Sequence, residues 1–232
     1  FIQRSPFRIF ANPFEALSIM VKGAVGSAYG WGYTLYYATN FIFTGLAVAV
    51  AFHARLFNIG GEGQAALGGL GVALVCLAVP WPHWTLALPV AIIGGALFGA
   101  AWAAIPAWLQ ARRGSHIVIT TIMFNFIASA VLVYLLVGPL KAPGMAPETS
   151  AFPDGAALPT AHDIAPWLGF RPSAPLNISF LLALLACLGV WVLIWRTRLG
   201  YEIRAFGHSE PAAVYAGIHP TRIIMATMLI SG

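Results

Sequence analysis

The chain has 232 residues, of which 59% are hydrophobic and 8% are charged. Because a soluble globular domain has about a quarter charged residues, this composition excludes an ordinary soluble protein and indicates a chain that lies in a lipid bilayer. The net charge of +5 does not indicate nucleic-acid binding, since the 12 Lys and Arg lie mostly in the connections between apolar segments, as they do in membrane proteins.

Apolar runs without charges mark the membrane spans, because a charge near the bilayer centre costs about 2.5–3.5 kcal/mol. These runs are too long and too continuously apolar for the strands of a barrel. They are therefore predicted to be helices, which satisfy their own backbone hydrogen bonds. In chain order the predicted spans are 33–51, 62–79, 84–109, 117–137 and 178–195, and a sixth starts near Ile223.

The predicted fold class is all-α, a polytopic transmembrane helical bundle with about five full spans and one partial span. The chain begins without Met and ends as a new apolar run begins. We therefore expect residues 1–232 to be a single transmembrane domain that is a fragment of a longer one. Within this domain the segment 140–177, which is rich in Pro, Gly and Ala, is predicted to be a polar loop with one short helix around 164–168.

Arginine residues in the short connections predict the orientation. Arg112 and Arg113 lie between the third and fourth spans, and four more arginines lie in the segment 196–222 between the fifth and sixth spans. Connections with an excess of Lys and Arg face the cytoplasm. The segment 196–222 is therefore predicted to be cytoplasmic, and the loop 140–177 is predicted to be extracytoplasmic.

A polar, glycine-rich break, residues 56–64 (LFNIGGEGQ), separates the first two spans. Glycines at this density favour an unwound backbone, and the helix that follows presents free N–H groups and a partial positive charge. Transporters form solute sites from such interrupted helices, which makes Asn58, Glu62 and Gln64 candidates for the solute pathway. A simple loop, with Glu62 stabilised by the helix dipole, explains the same pattern equally well.

A further polar residue, Asn125, lies in the fourth span, about one turn after Thr120 and Thr121. Such a side chain usually forms a hydrogen bond with a neighbouring helix, and the alternative is that it lines the solute pathway. The six histidines are scattered, without the spacing of metal ligands. Neither a metal site nor a cofactor site is predicted.

The cytoplasmic segment 196–222 has the pattern of two short helices. The first is predicted over 201–206 and is ended by Gly207, a position where glycine would supply a positive φ. Ser209 is predicted to cap the second, which has Pro211 in its first turn and ends at Gly217. The segment is either an amphipathic linker on the membrane surface or a docking element for a cytoplasmic partner.

Three motifs, residues 57–64 (FNIGGEGQ), 120–125 (TTIMFN) and 200–207 (GYEIRAFG), closely resemble the integral-membrane permeases of bacterial ABC importers for simple sugars and nucleosides. The third motif is followed by the family-like residues 211–213 and 217–218. The motifs occur in the expected order, so the resemblance covers nearly the whole chain. Compared with that family, one helix is missing at the front and several are missing at the back.

The resemblance implies a permease subunit in the bacterial inner membrane that translocates a nucleoside or a simple sugar. It implies three protein partners: an extracytoplasmic solute-binding protein, a second permease in a homodimer or heterodimer, and a cytoplasmic ABC ATPase. The chain itself would be surrounded by lipid, bind no nucleic acid and catalyse no reaction. The break near Asn58 would lie close to the translocation pathway. The residues assigned to ATPase coupling in 196–222 are Glu202, Arg204, Gly207, Glu210, Ala213 and Gly217.

An intramembrane enzyme would need paired acids, a Ser and His pair or a metal cluster within the spans, and Glu62 is the only acid there. A channel or other secondary transporter for a small polar solute is the alternative that the residues leave open.

The predicted orientation places Arg112 and Arg198 on the same, cytoplasmic side of the membrane. Cysteine introduced at either position in intact cells should therefore not react with a membrane-impermeant thiol reagent, whereas both should react after the cells are opened. Labelling of either position from outside would show that the orientation is wrong.

Overall fold

The computed structural model of the chain describes residues 13–232, which form α-helices and two short 3-10 turns without a strand in this part of the chain. The first twelve residues of the predicted domain lie outside the described residues. The helices are α1 (Pro13–Val25), α2 (Ala28–His53), α3 (Gly61–Ala78), α4 (Trp84–Arg113), α5 (Ile117–Val137), α6 (Ala161–Ile164), α7 (Ser179–Arg196), α8 (Arg198–His208), α9 (Glu210–Tyr215) and α10 (Pro220–Ser231).

The prediction of five full spans and one partial span is confirmed. Five helices, α2, α3, α4, α5 and α7, are long and apolar enough to cross a membrane, and α10 is an apolar helix of 12 residues. The helix α4 continues past the predicted end at residue 109, because Arg112 and Arg113 form its last turn and Gly114, with φ of 65°, closes it. The helix α1 was not predicted, and none of its residues is buried.

The described residues divide into two compact units, of which the smaller comprises residues 13–40 and Pro159–Leu182. Here the N–H of Ala161 donates to the Leu176 carbonyl at 2.7 Å. The short helix predicted around 164–168 is present as α6 and a 3-10 turn at Pro166–Leu168. Thr160 and Asp163 form a capping box at the start of α6. The hydroxyl and N–H of Thr160 donate to the Asp163 carboxylate and lower the pKa of that carboxyl group.

The larger unit comprises Phe41–Leu158 and Ala183–Gly232, and α4 is its central helix, in contact with α3, α5 and α10. Glycines allow the close approach of α3 and α4: a Cβ at Gly71 would collide with the Gly94 carbonyl. A Cβ at Gly99 would likewise collide with the backbone of Gly232, after the end of α10. The small-residue pair Gly95 and Gly99 therefore lies in a helix face that packs within the subunit.

A buried apolar cluster joins α8 and α9 to the ends of the spanning helices in the same unit. Ile194 at the end of α7, Ile203 in α8, and Ile223 and Met228 in α10 are each no more than 1% exposed. The surrounding residues of the cluster come from α2, α4 and α5 as well. The short helices of 196–222 are thus packed elements rather than a loose linker.

The two-helix pattern of this segment is confirmed, but the predicted role of Gly207 is wrong. The helix α8 runs through Gly207 to His208, and Gly207 is absent from the glycines with positive φ. A Cβ there would collide with the carbonyl oxygen of His53 at the end of α2. Glycine is required for close packing, not for a turn. The predicted start and end of the second helix are confirmed. Ser209 caps α9, and Gly217, with φ of 82°, follows its end.

This packing predicts that Gly207→Ala lowers the thermal stability of the purified full-length protein. The added methyl group must displace α8 from the end of α2, and such overpacking costs about 1–3 kcal/mol. Gly189→Ala in α7 is the matched control, since a Cβ at that position meets nothing within 4 Å. Equal melting temperatures for the two variants, measured in the same detergent, would contradict the close contact.

Candidate functional site

The last turn of α2 ends with a left-handed residue that is not glycine. Arg55 has φ of 56°, and its N–H donates to the Phe52 carbonyl at 2.9 Å. The N–H of Leu56 donates to the Ala51 carbonyl at 3.0 Å. This is the Schellman arrangement, in which glycine usually occupies the position of Arg55. The chain therefore leaves α2 in a fixed direction and continues through the non-helical residues 56–60.

The side chain of Asn58 holds this non-helical stretch, and Asn58 is only 2% exposed. Its Oδ1 accepts from the N–H of Gly60 at 2.9 Å and from Nε2 of Gln64 at 3.2 Å. Its Nδ2 donates to Oε1 of Gln64 at 2.9 Å and to Oγ of Ser231 at 2.8 Å. Both hydrogens and both lone pairs of the Asn58 carboxamide are therefore used.

The helix α5 binds the backbone of the same stretch. Asn125 donates from Nδ2 to the Ile59 carbonyl at 2.9 Å, and its Oδ1 accepts from the N–H of Gly63 at 2.9 Å. The hydroxyl of Thr121 accepts from the N–H of Ile59 at 3.3 Å. Asn125 thus makes the contact with a neighbouring segment that is usual for a polar residue in a span, and the partner is the break itself.

Ser231 is a residue of this network that sequence reasoning missed. Its hydroxyl accepts from Asn58 and donates to the Ala47 carbonyl in α2 at 2.7 Å. It therefore connects α10 to both α2 and the break. Asn58 and Ser231 are 173 positions apart, and a single serine near the end of an apolar run gives no signal of such a long-range contact.

A cavity of about 760 Å³ adjoins the start of α3 within the larger unit. Five helices contribute to it: α2, α3, α4, α7 and α10. Three polar side chains, Thr44, Gln64 and Ser231, are among its lining residues, and the other lining residues are apolar. Of the four residues predicted for the solute pathway, Gln64 lines the cavity, whereas Asn58, Glu62 and Asn125 do not.

Glu62, unlike Asn58 and Gln64, is not buried. It lies exposed in the first turn of α3 and makes no hydrogen bond or ion pair with any residue of 13–232. Its carboxylate is near the positive end of the helix dipole, which stabilises a negative charge there. Glu62 is therefore not required by the hydrogen-bond network that fixes Asn58 and Gln64.

The residues predicted for ATPase coupling differ in burial. Glu202, Gly207 and Ala213 are buried, Arg204 is partly exposed, and Glu210 and Gly217 are exposed. Glu202 forms an ion pair with Arg198 at 2.9 Å. The guanidinium group of Arg204 lies over the Trp195 ring, 4.6 Å from its centroid. The ion pair lies within α8, whereas the contact of Arg204 with Trp195 joins α8 to the end of α7.

Glu210 is exposed, and so are three large side chains of α8 and α9 that sequence reasoning did not select. Tyr215 is 97% exposed, Tyr201 is 62% exposed and Val214 is 50% exposed. Gly217 ends α9 just beyond Tyr215. We call Tyr201, Val214 and Tyr215 the aromatic face.

Residues 30–232 match the family described as the permease component of the branched-chain amino acid transport system. The chain belongs to this permease family. With five apolar helices of spanning length, it is a multi-pass protein of the inner membrane.

Three relatives are named as permease proteins of ABC transporters. The chain is 34% identical to the glucose ABC transporter permease protein TsgB13 of Haloferax volcanii over 95% of its own length and 58% of the relative. It is 36% identical to the guanosine ABC transporter permease protein NupP of Bacillus subtilis, covering 93% of the chain and 60% of NupP. For the nucleoside ABC transporter permease protein NupB of Lactococcus lactis, the identity is 32%, over 95% of the chain and 61% of NupB.

The chain therefore spans about 60% of the length of these curated relatives. No solved structure matches it. The resemblance to sugar and nucleoside permeases that the three sequence motifs indicated is confirmed by these relatives.

The network around Asn58 predicts that Asn58→Ala destabilises the full-length protein. The change leaves buried groups of Gly60, Gln64 and Ser231 without a partner, and each unsatisfied group costs about 1–3 kcal/mol. Glu62→Gln is the control, since Glu62 is exposed and unpaired among the described residues. The melting temperature in detergent should fall clearly for Asn58→Ala and fall much less for Glu62→Gln, which loses only the interaction of an exposed charge with the helix dipole. The opposite order would show that the network does not hold the break.

Proposed function

We propose that the chain is part of a membrane-spanning permease subunit of an ATP-binding-cassette importer that translocates a nucleoside or a simple sugar. The names of the relatives, which refer to glucose, guanosine and nucleosides, support this substrate range. The observation that carries the proposal is a rigid pair of short helices, α8 and α9, packed on the ends of the spans and exposing the aromatic face.

The aromatic face has the character of a docking surface for the importer's cytoplasmic ATPase. Tyrosine is enriched among the residues that dominate binding energy in protein interfaces. Tyr215 is 97% exposed in a helix that its buried residue Ala213 anchors, so its exposure does not result from loose packing. Glu210 is exposed in the first turn of α9 and adds a charge for orienting the partner. ATP hydrolysis would then take place on the separate ATPase subunit, and this chain would catalyse no reaction.

The buried coupling residues have a different role in this proposal. Gly207 brings the backbone of α8 against the carbonyl of His53 at the end of α2. Arg55 follows in the fixed turn, and Asn58 is three residues further on. A displacement of α8 by the ATPase would therefore press directly on the turn that leads into the break. Arg204 keeps α8 in place through its contact with Trp195 of α7, and Glu202 stabilises α8 itself through Arg198.

The residues of the break shape the solute pathway in the same proposal. Asn58 and Asn125 do so indirectly, because they fix the non-helical backbone. Gln64 does so directly, since it lines the cavity, and Glu62 adds an exposed charge at the start of α3. A solute-binding protein on the extracytoplasmic side would deliver the substrate, and a second permease, identical or different, would complete the pathway.

The docking proposal predicts that Tyr215→Ser in the full-length permease reduces co-purification of the cognate ATPase by at least tenfold, which corresponds to about 1.4 kcal/mol of binding free energy. The melting temperature of the permease should not change, because the side chain is almost fully exposed. ATP-driven uptake into reconstituted vesicles should fall in parallel.

Trp167→Ser is the matched control, as Trp167 is 79% exposed and lies in the loop 140–177 rather than on the aromatic face. This variant should retain both ATPase binding and uptake. Wild-type ATPase recovery with Tyr215→Ser would remove the docking role from the aromatic face. A full-length permease that recruits no ATPase and conducts solute without ATP would instead be a channel.

A further inference from the structure

We propose that the 760 Å³ cavity beside the start of α3 is a solute-binding site, and that it takes an uncharged solute with a flat apolar face, namely a nucleoside, in preference to a hexose or an amino acid. This inference rests on the proposed function, and it assigns the position and the chemical class of the transported solute. The volume lies within the range of about 300–1,000 Å³ that is typical of small-molecule sites.

The polar groups of the cavity lie close together. Gln64 and Ser231 both line it, and both accept a hydrogen bond from the same Asn58 nitrogen. They are therefore neighbours whose positions the network fixes. The second N–H of the Gln64 amide and the backbone N–H of Gly61 have no partner among the described residues. A solute would meet fixed hydrogen-bonding groups here.

The rest of the lining is apolar, with side chains such as Phe43, Ile92, Leu97 and Leu229. None of the residues of 13–232 that line the cavity is charged. An amino acid would lose the hydration of its carboxylate and ammonium groups here without gaining an opposite charge, and burial of an unpaired charge is strongly unfavourable. The site therefore disfavours amino acids.

A hexose fits the lining less well than a nucleoside does. Hydroxyl groups extend from all around a hexose ring, and each one that is buried without a hydrogen bond costs about 1–3 kcal/mol. A nucleoside presents the flat faces of its base to apolar side chains, and it needs hydrogen bonds only at the base edge and the ribose. One polar region at Gln64 and Ser231 within an apolar lining matches that distribution.

Gly61 gives a direct test of the site, because it lines the cavity and a Cβ there would meet nothing within 4 Å. Gly61→Leu thus places an apolar side chain in the cavity, and its Cβ displaces no neighbour. Gly69→Leu is the matched control on the same helix: a Cβ at Gly69 also meets nothing within 4 Å, but Gly69 does not line the cavity. Both variants should keep the melting temperature of the unliganded protein.

The experiment measures the melting temperature of the purified full-length permease with uridine, glucose or leucine at equal concentration, since a ligand that binds the folded state raises it. Uridine should raise the melting temperature of the wild type and of Gly69→Leu, and it should have no effect on Gly61→Leu. Glucose and leucine should have no effect on any of the three proteins.

Each other result overturns the inference. An equal or larger rise with glucose or leucine would show that the cavity does not select by apolar character. A uridine response that persists in Gly61→Leu would place the site elsewhere, and a wild type that responds to none of the three compounds would show no site of this kind. The readout involves no ATPase, so its outcome is independent of the test of Tyr215→Ser.

Discussion

The hydrogen bonds of the Asn58 carboxamide are the interaction on which the larger unit depends. The chain must pass from α2 to α3 through non-helical residues, and the backbone groups of this stretch lose their helical partners there. Gly60 is buried, so its N–H needs a partner from the protein. Asn58 supplies that partner from within the stretch, and Asn125 and Thr121 supply the others from α5. A buried break is stable only because these three side chains replace the missing backbone bonds.

The same network determines which helices meet at the break. Through Ser231 it attaches α10 to α2, and through Asn125 it attaches α5 to the start of α3. These bonds are directional, whereas the glycine contacts between α3 and α4 depend on shape alone. Directional bonds define one arrangement of the helices among the many that apolar packing would tolerate. The polar region of the adjoining cavity is fixed as a result.

The spans could be predicted from the sequence because a charge near the bilayer centre is costly. The five helices long enough to cross carry charges only near their ends. The helix α1 was missed, since Glu15 and Lys22 interrupt its 13 residues and no run of spanning length results. Gly207 was misinterpreted because glycine serves two purposes, positive φ and close approach, that look identical in a sequence. Only the backbone of His53, more than 150 positions away, distinguishes them.

The candidate site was predictable only in part, for a related reason. Asn58, Gln64 and Asn125 are conspicuous as polar residues near or within apolar runs, so their involvement could be anticipated. Their partners could not, because Ser231 has no local pattern and the Ile59 carbonyl has no side-chain signal at all. The aromatic face was also missed. Tyr201 and Tyr215 are ordinary in composition, and only the burial of Ile203 and Ala213 on the other side shows which way they face.

Position 55, in the turn between α2 and the break, is occupied by arginine rather than glycine. This difference affects how a displacement of α8 would be transmitted to the break. A residue other than glycine with φ of 56° stores roughly 1 kcal/mol of strain, yet it has far fewer backbone conformations than glycine would have there. A glycine would make this turn a hinge that absorbs a push from α8. Arginine makes this turn rigid. Gly207 lies against the residues just before it, His53 and Ala54, and Asn58 follows three residues after Arg55. In the proposed coupling, stiffness at this point would let a displacement of α8 change the break instead of being lost in the connection.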